Sequence, residues 1–212
     1  ALASEIGGTF RTVDVSDAEA VAAGMAESAE VHGPARVAVA CAGIVPAART
    51  VGRDGTPHDA ELFARVIAVN LLGSFHLARA AAAGMAGLAP VGADGERGVL
   101  IQTASIAAYE GQIGQIAYAA SKGGVAGMTL PMARDLAGLG IRAVAIAPGL
   151  FRTPMVESLP VEAQKSLGAA VPYPSRLGDP GEFAALVSHI VENPMLNGSV
   201  LRLDGALRMG PK

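Results

Sequence analysis

The sequence predicts an α/β protein built on a doubly wound parallel sheet. Strand-like and helix-like segments alternate along the chain, the order that gives parallel strands with helices on both faces. The runs "ARVAVAC" (35–41), "VLIQTA" (99–104) and "IRAVAIA" (141–147) are nearly all apolar, as strands covered on both sides are. Helix-start signals stand just ahead of the helical stretches.

Taken in order, "TFRTVDV" (9–15) reads as a short strand from its β-branched and aromatic residues. Ser16, with Glu19 three residues on, forms a capping box for a helix that runs to about Glu30 and stops near Gly33 and Pro34. The strand 35–41 follows, then a loop, "AGIVPAARTVGRDGT". Thr56, Pro57 and Asp59 open a long helix that reaches about Leu88. A polar loop (89–98) leads into the strand 99–104. The next helix carries Tyr118 and Lys122 and continues to about Ala137, with Pro131 expected to bend it or loosen its hydrogen bonding. After the strand 141–147, Asp179, Pro180 and Glu182 start a helix closed by Asn193 and Pro194. "SVLRLD" (199–204) is the last strand. Such sheets bind ligands beyond the C-terminal ends of their strands. "CAG", "ASI" and "PGLFRTP" therefore share one rim.

The 212 residues are 51% hydrophobic and 17% charged, enough to bury the core of a single domain. The net charge is −3 and no basic block stands out, so no nucleic-acid partner is expected. No apolar run reaches the roughly 18 residues of a membrane span, so no membrane partner is expected either. Cys41 is the only cysteine, which excludes an internal disulfide and fits a reducing, cytoplasmic setting. The four histidines are scattered, so no metal site is expected.

Tyr118 and Lys122 lie four residues apart and share a helix face. An ammonium at about 4 Å, with an effective dielectric near 20, favours a phenolate by about 4 kcal/mol. That bounds the fall of the phenol pKa at about three units from its usual ~10. Such a phenol is a general acid or base. Taken alone, the pair is more often an ordinary helix pair, with the lysine stem packed on the ring. Ser105 changes the balance. It stands at a strand end thirteen residues before Tyr118, where a hydroxyl can hydrogen-bond a substrate carbonyl, though a turn serine looks the same. Asn70 is a polar residue in an apolar helical stretch, and either bonds buried backbone or faces solvent. Asp14 can accept hydrogen bonds from an adenine amine or from nearby backbone.

"TASIAAYEGQIGQIAYAASKGG" resembles the active-site segment of the short-chain dehydrogenase/reductase family. "DV", "CAG", "VNLLG", "APG" and "NGSVLRLDG" match further motifs of that family in the right order. "GADGERGVLIQTAS", "APGLFRTPM" and "PSRLGDPGEF" bring the chain nearest to the type II 3-hydroxyacyl-CoA dehydrogenase subgroup, also called type 10 17β-hydroxysteroid dehydrogenases. The resemblance implies a Rossmann-type fold and an NAD cofactor. It implies hydride transfer between a secondary alcohol and a ketone of a small-molecule substrate, acyl-CoA or steroid-like. The alternatives are an NADP-dependent 3-oxoacyl thioester reductase and a non-catalytic subunit. Assembly is expected to be a homotetramer.

The resemblance also implies roles. Tyr118 is the acid/base, and Lys122 lowers its pKa and holds the nicotinamide ribose. Ser105 orients the substrate oxygen, Asn70 holds a water of the proton relay, and Gln112 touches substrate. Asp14 and Val15 face the adenine. Cys41, Ala42 and Gly43 line the nucleotide, the glycine allowing close approach. Pro148, Gly149, Phe151 and Thr153 embrace the nicotinamide and pyrophosphate. Residues 153–173 form a substrate lid.

Two departures stand out. Ala40 replaces an Asn that braces neighbouring backbone in the family. No Gly-rich turn after a first strand is found. By the family's strand order, 3-2-1-4-5-6-7, residues 9–15 are the third strand. The first two strands are then expected to be missing at the N-terminus, leaving the third without a partner and the fourth with an open edge. The 212-residue domain is thus expected to be N-terminally truncated, and by itself to bind the dinucleotide poorly.

Overall fold

The computed structural model describes residues 2–157 and 160–211. Four parallel strands, β1 (Val37–Ala40), β2 (Gly98–Thr103), β3 (Ile141–Pro148) and β4 (Val200–Leu203), pair in the order β1-β2-β3-β4. The register sets Ala40 beside Gln102 and Thr103 beside Ile146. All four strands expected from residue 35 onward are thus present, each within two or three residues of its expected ends.

The first expected strand does not form. Residues 8–14 have no strand structure, and β1 is the edge of the sheet among the described residues. The residue pattern suits a strand, but ladder hydrogen bonds require a neighbour, and among the described residues none lies between this segment and β1.

The helices are α1 (Leu2–Glu5), α2 (Ala18–His32), α3 (Ala60–Ile67), α4 (Gly73–Ala86), α5 (Ala107–Glu110), α6 (Ile116–Leu136), α7 (Pro154–Glu157), α8 (Val161–Ala169) and α9 (Pro180–Glu192). Asp17, not Ser16, caps α2, accepting from the backbone N–H groups of Glu19 and Ala20. Ser16 is instead drawn back onto Asp14, donating to its carboxylate through backbone N–H (2.9 Å) and hydroxyl (2.7 Å). Asp179, Pro180 and Glu182 start α9 as expected, and Asp179 and Glu182 do so as a capping box. The expected long helix is interrupted by a π-helical turn, Ala68–Leu72, that joins α3 to α4. The joined stretch Ala60–Ala86 is long and apolar enough to cross a membrane by length and composition, so the expectation that no segment reaches that length is corrected. Its Ala78, Ala81, Ala82 and Met85 pack on the sheet.

The two faces of the sheet are covered differently. Leu100 and Ala143 meet α4 and α6 through small side chains, which lets those helices approach closely. Val99, Ile101, Val144 and Ile146 meet Ile190 on α9. Arg142, buried at the start of β3, donates to the carbonyls of Ile190, Leu196, Val191 and Asn193 and pairs with Glu96. It satisfies carbonyls at the C-terminal end of α9 and ties them to the sheet.

Candidate active site

Tyr118 and Lys122 occupy the first two turns of α6. Lys122 is 4% exposed, and its Nζ donates to the Thr103 carbonyl at 2.6 Å. Thr103 ends β2, so the helix and the strand end are tied at the sheet rim. The same Nζ lies 5.8 Å from the centroid of the Tyr118 ring. Ser105 follows two residues after Thr103. It is buried, its Oγ accepts from the Ala107 N–H at 3.1 Å, and it is near enough to the Tyr118 phenol to act on its pKa. Ser121 donates to the Tyr118 carbonyl at 2.7 Å.

The electrostatics differ from the sequence expectation. Burial raises the Tyr118 pKa above its usual 10.0, and the hydrogen bond from Ser105 offsets this only in part. The expected depression by Lys122 is not found. Burial holds Lys122 itself down, at about 8, while the nearby Cys41 acts the other way. Its ammonium hydrogen-bonds the Thr103 carbonyl, which leaves the phenol governed by its own desolvation.

Asn70 sits in the π turn, completely buried. Its Oδ1 accepts from the Ile44 N–H at 2.8 Å and its Nδ2 donates to the Ile44 carbonyl at 2.9 Å. Nδ2 also reaches Ser121 Oγ at 3.1 Å, which joins the loop after β1 to α6. Of the two sequence readings, the bonded, buried amide is the one found. Such π turns recur at functional sites because they re-aim one side chain. A Cβ added to Gly43 would come within 3.4 Å of Asn70 Oδ1 and 3.8 Å of Lys122 Nζ, so the glycine keeps that space open. Cys41 is exposed, with Thr103 Oγ1 at 3.9 Å from its sulfur.

The remaining candidates fall into three places. Val15, Cys41 and Ala42 line one trench of about 700 Å³ between residues 9–15, α2 and β1. The Asp14 carboxylate is engaged by Ser16, which lowers its pKa. Pro148 accepts from the Ile106 N–H at 3.2 Å, and Gly149 donates to Leu203 at 2.9 Å, so both stand at the same rim as Ser105. Phe151 bridges to Gly178, and Arg152 pairs with Asp179 at 3.1 Å. These contacts close the base of an excursion that carries Thr153, α7 and α8. It coincides with the expected lid, of which residues 158 and 159 lie outside the described residues. Thr153 Oγ1 accepts from the Val156 N–H at 3.4 Å. Gln112 is not drawn into the Tyr118 cluster. Its side chain donates to the Gly210 carbonyl at 3.2 Å, and it lines a separate cavity with Arg49, Thr50 and Pro211.

A family model described as short chain dehydrogenase matches residues 1–164, which cover the Ser105, Tyr118 and Lys122 cluster. The chain belongs to the short-chain dehydrogenase family. 3-Hydroxyacyl-CoA dehydrogenase type-2 of Rattus norvegicus is 51% identical to this short-chain dehydrogenase over 212 residues, covering 99% of this chain and 81% of the rat protein. The Homo sapiens protein of the same name is 52% identical over 203 residues, 95% of this chain and 77% of that protein. A crystal structure of 3-hydroxyacyl-CoA dehydrogenase type-2 from Mycobacterium avium superposes with a TM-score of 0.94 at 45% identity, covering 100% of this chain and 82% of that one. The chain is therefore an oxidoreductase, and its family implies a nicotinamide cofactor.

The residues present fit such a group at the rim, where the glycine at position 43 leaves a gap beside Lys122. Three side chains that brace segments around the dehydrogenase site escape sequence reading. Ser121 links Asn70 to the Tyr118 backbone; its spacing of three from Tyr118 was an available signal. Glu110 binds Arg202 at 2.9 Å and accepts from the Met209 N–H, fixing the C-terminal tail beside α5. The third, His76, reaches Val15 from 61 residues away, a separation that no local pattern encodes.

Proposed function

We propose that this short-chain dehydrogenase interconverts a secondary alcohol and a ketone with NAD(H), acting on 3-hydroxyacyl-CoA thioesters. The observation that supports the chemistry most is the half-buried Tyr118, with Ser105 acting on its phenol and Lys122 Nζ 5.8 Å from its ring centroid. The substrate and NAD rest on the similarity to the dehydrogenases above.

Bound along the rim, the nicotinamide supplies the hydride donor or acceptor. The chain's own residues handle the proton. In the reducing direction, Tyr118 is the acid. Its raised pKa keeps it protonated at neutral pH, ready to donate to the oxygen that receives negative charge. Ser105 steers that oxygen by hydrogen bonding and so sets its distance from the phenol. In the oxidising direction, Tyr118 takes the alcohol proton as phenolate, and the Lys122 ammonium balances the charge. Asn70 fixes the Ile44 backbone and Ser121, and through Ser121 the Tyr118 turn of α6. A water beside Asn70 would carry the proton onward. Residues 153–173 act as the lid that excludes bulk water during transfer.

The test is turnover of 3-hydroxyacyl-CoA thioesters of several chain lengths, with NAD and with NADP. Faster turnover with NAD is expected. Absence of turnover of both hydroxyacyl-CoA and hydroxysteroid with either nucleotide would falsify the reading.

A further inference from the structure

His76 stands on α4 one turn beyond its first residue, Gly73. Its Nδ1 lies 3.0 Å from the carbonyl oxygen of Val15. A carbonyl only accepts, so Nδ1 carries the hydrogen. Gly73 receives the same residue by shape. A Cβ added there would meet Val15 Cγ2 at 2.8 Å and the Val15 carbonyl oxygen at 3.2 Å. One turn of α4 therefore holds both the side chain and the carbonyl of Val15.

This grip matters because nothing in the sheet performs it. Residues 8–14 make no ladder, and the Asp14 side chain is engaged by Ser16. Among the described residues, His76 makes the one hydrogen bond between the 8–15 segment and α4. Val15 stands where this segment meets α4, at the end of the gap between residues 9–15 and β1. Fixing the Val15 carbonyl fixes the peptide plane between Val15 and Ser16, and limits how far the backbone at Val15 can move.

We propose that His76 is a positioning residue for the dinucleotide: it holds the Val15 backbone in place to receive the adenine end. The inference rests on the dinucleotide reading above, and the test separates the two. His76→Ala removes the donor. His76→Asn keeps a donor, its side-chain amide, at nearly the same reach. His76→Phe keeps the ring volume without a donor. Calorimetric titration with ADP-ribose and with NADH reads affinity directly, and steady-state assays give KM and kcat separately.

A hydrogen bond of ordinary strength predicts that His76→Ala and His76→Phe bind ADP-ribose about three- to tenfold more weakly, with the loss read in KM for the dinucleotide far more than in kcat. His76→Asn recovers most of the affinity. Wild-type affinity for ADP-ribose in His76→Phe overturns the proposal, and so does a His76→Asn protein as impaired as His76→Phe. If His76→Ala does not fold, the Phe and Asn proteins make the same comparison. All proteins are compared at full length, and failure of the full-length wild-type protein to bind ADP-ribose or NADH refutes the dinucleotide reading, with which this inference falls.

Discussion

Asn70 holds Ile44 at both of its backbone polar groups, accepting from the N–H at 2.8 Å and donating to the carbonyl at 2.9 Å. A carboxylate cannot reproduce this, because it has no hydrogen to donate. Asn70→Asp should leave the Ile44 carbonyl unpaired and place a buried charge beside it. The expected loss is about 1–3 kcal/mol for the carbonyl alone, and more for the charge. Urea unfolding of the two proteins measures it. Equal midpoints would show that the loop after β1 has another anchor.

Tyr118→Phe keeps the ring and removes the hydroxyl on which Ser105 acts. Turnover should fall by about 10²–10⁴-fold, the usual contribution of a positioned acid or base. Cofactor affinity should change much less. Retention of more than about a tenth of wild-type kcat is incompatible with the proton-transfer role.

The pH dependence of stability should carry the mark of Lys122. Burial lowers its pKa from 10.5 to about 8 in the folded protein. Between those values the unfolded chain binds more protons, so this lysine makes stability rise with pH through that window. Below pH 8 its burial is fully unfavourable, by about 3 kcal/mol. Tyr118, with a pKa raised above 10.0, opposes the trend only above pH 10. Wild type should therefore gain on Lys122→Met as the pH rises from 8 towards 10. Parallel unfolding curves at every pH would place Lys122 in contact with solvent.

Arg142 gathers four carbonyls around the C-terminal end of α9 while pairing with Glu96. Arg142→Met should strand those carbonyls and leave the carboxylate without its partner. A loss of about 3–5 kcal/mol is expected, a large share of a total near 5–15. Thermal unfolding checks it. A shift in Tm of less than about 2 °C would contradict the assignment.

A homotetramer is expected in solution, with a dimer as its strongest unit. Phe75 on α4 and Leu130 on α6 are 46% and 44% exposed, and both helices line an apolar groove with Ala82, Met128 and Pro131. Light scattering at micromolar concentration gives the state, and a monomer rejects the expectation. Phe75→Glu should shift the protein toward smaller species.

By itself, the sequence determined the alternation of strands and helices, the apolar strands and the helix start at Asp179, Pro180 and Glu182. Each of these depends on residues that are near in the chain or on burial on both faces. It also brought Ser105, Tyr118 and Lys122 to one rim, because a strand end and the start of the following helix are joined by a short segment. Only the tertiary structure decided the rest. Residues 9–15 have a strand's composition, yet a strand exists only with a hydrogen-bonding neighbour. The Tyr118 pKa moves up, not down, because desolvation depends on what packs around the phenol, not on a lysine four residues away. His76 meets Val15 and Arg142 meets the end of α9 across separations of 61 and about 50 residues, where chain folding alone sets the distance.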